Sequence, residues 1–290
     1  MRITQGMLSN NMLRNLTSSY SKMDTLMDQV STGKKINRPS DDPVIAMKGM
    51  GYRTELKQIE QYKRNTSEVH NWMDNTDSAL DKATQTMQKL RELAVQASND
   101  TYDASERENI MKEVEQLKKH MMDIANTSVN GKYIFNGTDT ETPPVNEADE
   151  FAPSSTSPVL IDVAGGTKLQ ANVNPEDVFG DNLFANIDSF IEDLGNNDQE
   201  AIEGNIEKLQ GGIDNIINAR ADLGARMNRL ELVENRLSEQ EIVATKTMAD
   251  NEDVDYEKAI TELITQESLH RAALSAGSRI IQPSLVDFLR

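Results

Sequence analysis

Two adjacent carboxylates, Asp41 and Asp42, lie in VSTGKKINRPSDDPVIAMKGM (residues 30–50), where paired acids could hold a metal ion or trade a proton. A second acidic run, DNEDVDYE (residues 250–257), has oxygen ligands spaced somewhat like a calcium loop. Neither pattern is complete. The second run lacks the turn glycine and the closing glutamate in register. In the first, Asp42 directly precedes Pro43, which is how a helix opens: the carboxylate accepts free backbone N–H groups and proline occupies the first turn. Asp41 suits the same positive helix end. Gly33 is placed to close the preceding helix in a left-handed cap, and Pro39 adds a further break. Gly33, Pro39, Asp41, Asp42 and Pro43 are therefore read as punctuation between two helices. Asp253 or Asp255 is expected to cap another.

The remaining candidates for chemistry are sparse. His70, His120 and His270 have no second ligand at a recognised spacing, so no metal site is expected. The chain has no cysteine, which excludes disulfides, zinc–thiolate sites and thiol catalysis. It shows no glycine-rich phosphate loop and no nucleophile elbow, so neither a cofactor nor an enzyme activity is expected. Asn15-Leu16-Thr17 and Asn136-Gly137-Thr138 match a glycan acceptor triplet. Without a secretory signal they are read as accidents of composition.

The elements that must position these residues are long and narrow. Only 37% of the 290 residues are apolar and 4% aromatic, thin for a compact globule. Alternate steps of four and three from Ile202 reach Met248 through fourteen positions, eleven of them apolar. That heptad seam predicts a coiled-coil-like helix about 70 Å long, at ~1.5 Å per residue. A matching seam runs from Ile59 through Val69, Met73, Leu80, Met87 and Leu90 to Ala97. It breaks at SNDTYD (residues 98–103) and resumes from Ile110 to Ile124, with Asp103 and Glu106 spaced as a capping box. These segments make a three-helix bundle. NGKYIFNGT (residues 130–138) reads as a β-hairpin arm, and one strand pair is expected around VLIDVAGGTKLQANV.

Both ends carry weaker stripes. Leu13, Leu16, Tyr20, Met23, Met27 and Val30 keep a three-four spacing near the start. Tyr256, Ile260, Leu263, Leu274 and Ile281 share one heptad frame near the end, interrupted by Glu267, His270 and Gly277. Such stripes are too weak to fold alone and are expected to seek partners.

The net charge of −18 argues against a nucleic-acid partner. Fourteen acids against one base, Lys168, fall between residues 136 and 200, so that segment is expected to be a solvated surface. No run approaches the ~20 apolar residues of a membrane span, and the first residues lack the apolar core of a secretory signal.

In order along the chain, VSTGKKINRPSDDPVIAMKGM, ASNDTYDASERENIMKEVEQL, IANTSVNGKYIFNGT and INARADLGARMNRLELVENRL resemble segments of the flagellin superfamily. The resemblance covers roughly residues 1–138 and 200–290 but not the acidic insert. Pro39 and Pro43 in NRPSDDP, the tail PSLVDFLR and the small middle region look like the subunits that join hook to filament rather than filament flagellin. Flagellin is the alternative within the superfamily, and a cytosolic coiled-coil adaptor is the alternative outside it.

The resemblance implies a mainly α fold, an elongated flagellin-like coiled-coil bundle with a small β-containing insert. Residues 1–43 and 250–290 would be terminal helices, disordered in the free subunit and ordered in an assembly core. Residues 44–138 and 195–249 would form the helical rod with its hairpin, and 139–194 the acidic insert. It also implies export through the flagellar type III channel without a cleaved signal, to the extracellular flagellum. Partners would be copies of the chain, an adjacent hook-associated junction protein, flagellin, and an export chaperone on the C-terminal helices. Gly33, Pro39 and Pro43, with residues 250–255, would uncouple the ends from the rod.

Overall fold

The heptad seams become two very long helices. In the computed structural model, which describes residues 5–99, 102–146 and 151–281, α2 spans Pro43–Ala97 and α6 spans Gln199–Glu252. They are flanked by α1 (Gln5–Thr32), α3 (Ala104–Ala125) and α7 (Tyr256–Ile281). Two hairpins, β1–β2 (Ser128–Val129 and Lys132–Tyr133) and β3–β4 (Leu160–Ala164 and Thr167–Gln170), precede the short α4 (Pro175–Phe179) and α5 (Asp181–Asn196). The tail PSLVDFLR lies outside the described residues. Contacts divide the chain into two units, residues 1–58 with 240–290 and residues 59–239. The division falls inside α2 and α6, whereas the sequence suggests boundaries at the helix breaks near 43 and 250. The first turns of α2 and the last of α6 belong with the terminal helices because Gly49 and Arg53 meet Glu252.

Unit 59–239 contains the bundle. Every seam position of α6 from Ile202 to Met248 is buried or half-buried, and so is every α2 seam position from Ile59 to Ala97. Period 3.5 alone selects those faces. The polar seam threonines Thr66 and Thr76 bond carbonyls of their own helix, whereas Arg220 is paired across the bundle. Arg220 donates from Nε and Nη2 to Asp77 (2.7 and 3.1 Å) and from Nη1 to Asp81 (2.6 Å). These two carboxylates, one helical turn apart, hold the guanidinium well above its already high ordinary pKa, chiefly through the Asp77 hydrogen bond. At α3, Asp103 accepts from Ser105 N and Glu106 N, and Glu106 reaches back to Asp103 N, which completes the capping box. Buried Arg107 donates to Ala97 O and Asn197 Oδ1, tying the ends of α2 and α5 to the start of α3.

The insert departs from expectation. Its strand pair forms, with Ile161 opposite Leu169 and an irregularity between Asp162 and Ala164. Beyond it the chain is helical. Asn174 caps α4 with Pro175 at its first turn. Leu183, Phe184, Ile187, Phe190 and Leu194 bury one face of α5, which packs on α3. The insert is thus no purely solvated surface: Phe135 meets Phe179 edge-on at 5.0 Å, and Phe151 and Phe184 complete the group. Four of the six phenylalanines gather here, so a chain with few aromatics still fills one compact core.

The first hairpin is shorter than the Tyr/Ile/Phe run suggests. Asn130 and Gly131 both take positive φ (53° and 78°), as a two-residue turn requires. Ile134 and Phe135 follow the strand and turn inward, fully buried.

Candidate assembly interface

The unit of residues 1–58 and 240–290 pairs α1 with α7 antiparallel. Met12 lies over Gly277, Gln266 Nε2 donates to Ser19 Oγ at 2.8 Å, and the Tyr20 and His270 rings are 5.9 Å apart. Among the described residues, the half-buried or buried positions on α1 are Ser9, Met12, Leu16, Ser19, Met23, Leu26 and Val30, with Gln29 half-buried beside the last. On α7 they are Ala259, Leu263, Gln266, His270, Ala273 and Gly277. Both sets keep heptad spacing, yet only Leu26, Ala259 and Gly277 are fully buried.

The seam therefore divides the stripes read from the sequence. Leu16, Met23 and Val30 turn partly toward α7, while Leu13, Tyr20 and Met27 point outward, 53%, 61% and 54% exposed. On α7, Leu263 is half-buried, and Tyr256, Ile260 and Leu274 are exposed, with Ile264 and Leu269 joining them. Ile281 ends α7, and its side chain lies outside the described residues. His270 and Gly277, which interrupt the apolar pattern, turn out to be seam positions. On α7 small and polar residues, Ala259, Gln266, His270, Ala273 and Gly277, carry most of this contact, so hydrophobic periodicity could not reveal that face. The surplus is a set of outward apolar residues, Met7 and Leu8 included, on two helices of one unit.

The two helix breaks meet. Gly33 takes φ +72° and its N–H closes on Gln29 O at 2.9 Å, ending α1. An added Cβ would sit 2.6 Å from Tyr256 Oη, so both the angle and the space demand glycine. Lys34 then pairs antiparallel with Asp253. Lys35 N donates to Glu252 O (2.7 Å) and Val254 N to Gly33 O (2.9 Å). Around this bridge, Lys34 Nζ reaches Asp253 (2.7 Å) and Glu252 (3.5 Å), and Arg53 Nη2 reaches Glu252 at 2.6 Å. The hydrogen bond to Asp253 is the main cause holding the Lys34 ammonium above the ordinary lysine value.

The punctuation residues divide their work. Asp42 Oδ1 accepts from Val44 N and Ile45 N (2.9 and 3.1 Å), capping α2 ahead of Pro43. Asp41 instead closes the loop before it, accepting from Asn37 N and Arg38 N (3.1 and 2.9 Å). Those backbone donors, Arg38 first, hold its carboxyl below the usual range. Pro39 is exposed in that loop. Asp255 caps α7 by accepting from Lys258 N, and Asp253 serves as the ion-pair partner.

Among the described residues, no group of three or more His, Asp and Glu could hold a metal, and no helix is long and apolar enough to cross a membrane. His70 lies near Asp74 and Glu234 (3.4 and 3.8 Å), His120 is exposed, and His270 faces Tyr20. Asn136 is fully buried. Its amide bonds Thr142 O and Ser154 Oγ and accepts from Ser154 N, so that triplet offers no accessible acceptor.

Comparison with known proteins points one way. The bacterial flagellin N-terminal helical region matches residues 3–140 and the flagellin C-terminal helical region matches residues 206–289. Flagellar hook-associated protein 3 of Escherichia coli is 26% identical over 95% of this chain and 96% of its own length. Its namesake in Salmonella typhimurium is 27% identical over 94% and 95%. Bacillus subtilis flagellin is 25% identical over 94% of each. Among solved structures, Bacillus cereus FlgL superposes with a TM-score of 0.61 at 26% identity, covering 69% of this chain and 99% of that one. Xanthomonas campestris FlgL, at 15% identity, shares the fold with a TM-score of 0.62 over 68% and 99%.

Proposed function

Because this chain belongs to the flagellin family, we propose that it is a structural subunit of the bacterial flagellum, set at the junction of hook and filament. The observation that carries the reading is the end-to-end likeness to two hook-associated proteins 3 at 26% and 27% identity, joined by the fold shared with Bacillus cereus FlgL at 26% identity. The relatives' names are those of flagellar proteins.

The physical basis of assembly is the surplus apolar face. Leu13, Tyr20 and Met27 on α1, with Tyr256, Ile260 and Leu274 on α7, are held beside a narrow seam in which α7 supplies mostly small and polar residues. In the free subunit these helices are loosely held; beside copies of the chain, the adjacent hook-associated protein and flagellin, they complete their burial. Head-to-tail packing of this kind propagates until something caps it. Delivery would use the flagellar type III channel. A chaperone gripping α7 would cover Ile260, Ile264, Leu269 and Leu274 beforehand, and shortening the chain after Asp255 would abolish that binding.

The deciding experiment is electron microscopy of cells lacking the gene. Hooks without filaments, with flagellin shed into the medium and filaments restored by the intact gene, are expected. Normal hooks and filaments would remove the junction role. Filaments lost together with a filament-sized pool of this chain would favour the flagellin reading suggested by the Bacillus subtilis relative.

A further inference from the structure

We infer that the subunit carries a second assembly surface, outside the terminal helices. A strip of α2 (Val44, Met47 and Met50) seats against a strip of α6 (Ile242 and Val243) on the next copy of the chain. This rests on the structural-subunit reading and names where neighbouring copies touch side by side.

All five side chains are more than half exposed, although their unit also holds α1 and α7. Neither terminal helix covers them. The surface needs neither, because α2 and α6 run unbroken through these positions. On α2 the inward positions are Ile45, Gly49, Tyr52 and Leu56, so Val44, Met47 and Met50, three residues apart, fall on the other side. On α6 the inward positions are Glu241, Ala244, Met248 and Glu252, which leaves Ile242 and Val243 outside. The inner faces meet where Glu252 fills the space beside Gly49 and Asn251 Nδ2 donates to Ile45 O at 3.2 Å. The two strips therefore point away from each other.

A patch that meets its own twin closes a dimer, whereas two different patches on opposite sides join copies in a row. Charge selects the row. Lys48 and Lys57 outnumber Glu55 beside the α2 strip, while Glu239 and Asp250 outnumber Lys246 beside the α6 strip, and all six are exposed. Twin strips would set lysine against lysine; unlike strips bring opposite charges together. Shape agrees. Met47 and Met50 are flexible enough to fit around branched side chains, and Gly51 has open space where a Cβ would stand. Five side chains fall far short of the ~1,200 Å² that holds a stable pair, so the contact forms within an assembled array and not between free subunits.

The chain has no cysteine, so introduced disulfides report the contact without background. Met47→Cys or Met50→Cys is combined in one full-length chain with Ile242→Cys or Val243→Cys and expressed in place of the intact gene. Hook–filament preparations are then oxidised and separated without reductant. A ladder extending beyond the dimer is expected from at least one combination, and no cross-link from any single substitution. Dimers from a single substitution, or attached filaments with no ladder from any combination, would overturn the inference and leave the junction reading standing. Filaments that persist without the gene would remove that reading instead. Met47→Lys and Ile242→Lys give a second readout, each placing a charge in the contact. Monomer melting should stay unchanged, while the chain retained on hooks falls about tenfold. Retention at the unaltered level in both would overturn the inference, whether or not the cysteine variants assemble.

Discussion

Replacing Leu13, Tyr20 and Met27 together by serine separates an interface from a core. In the isolated subunit these side chains are already half or more exposed. Their loss should change monomer stability little, within about 0.5 kcal/mol per site, as for ordinary surface positions. Full burial of a side chain of this class is worth roughly 1.5–3 kcal/mol. About half remains to be gained at each site, so the three together forfeit about 3 kcal/mol of association per subunit. That is on the order of a hundredfold in the assembly constant. Leu26→Ala, at a buried seam position, provides the contrast: it should cost the monomer about 2–3 kcal/mol of α1–α7 docking. The assay pairs thermal melting and exchange of the monomer with sedimentation and electron microscopy of complexes formed with flagellin and the adjacent hook-associated protein. Unchanged melting with assembly lost is expected for the triple variant. Assembly at the original concentration, or a melting loss as large as that of Leu26→Ala, would refute the division of the stripe into inner and outer residues.

Arg220 occupies a seam position that heptads usually give to an apolar residue. Arg220→Ala should cost about 1 kcal/mol, modest because the pairs are partly exposed, whereas Arg220→Leu should be near neutral in denaturant titration. Asp103→Ala removes the capping box and should lower stability by about 1 kcal/mol, a fall of roughly 2–4 °C in Tm for a domain of this size. Lys34 is raised from 10.5, so its contribution to the bridge is complete below that value and is lost as pH rises through the higher folded value. Exchange of α1 and α7 should therefore hold steady from neutral pH until the alkaline limit, once corrected for intrinsic rates. Asp41 has the opposite sign: its lowered carboxyl steadies the 37–41 loop above the ordinary carboxylate range and stops doing so as pH falls through the lowered value. Proteolysis within that loop should rise only in strong acid.

Where one residue type dictates local geometry, the chain was legible. Heptads from Ile59 and Ile202 marked the buried faces of α2 and α6, because period 3.5 leaves one stripe to bury. Asp42-Pro43 and Asp103 with Glu106 marked helix starts, because backbone N–H groups there need an acceptor. Gly33 marked the end of α1, because a left-handed cap excludes most side chains. The second half of the insert was misread because acids on α4 and α5 masked the three-four run of Leu183, Ile187, Phe190 and Leu194.

Tertiary structure decided what no local rule contains. It placed Ser19, Gln266, His270 and Gly277 in the inner seam of α1 and α7 beside Leu16, Met23 and Leu26, leaving Leu13, Tyr20 and Met27 outside. It gave Asp41 to the loop and Asp253 to Lys34, although both acids looked like caps. Above all, it brought residues 33–35 onto residues 252–254 and sank Glu252 beneath them, more than two hundred residues apart in the chain. Periodicity reports which side of a helix avoids water. Which other helix it then meets, and which charge is left inside, depends on the shape and partners of residues far away in sequence.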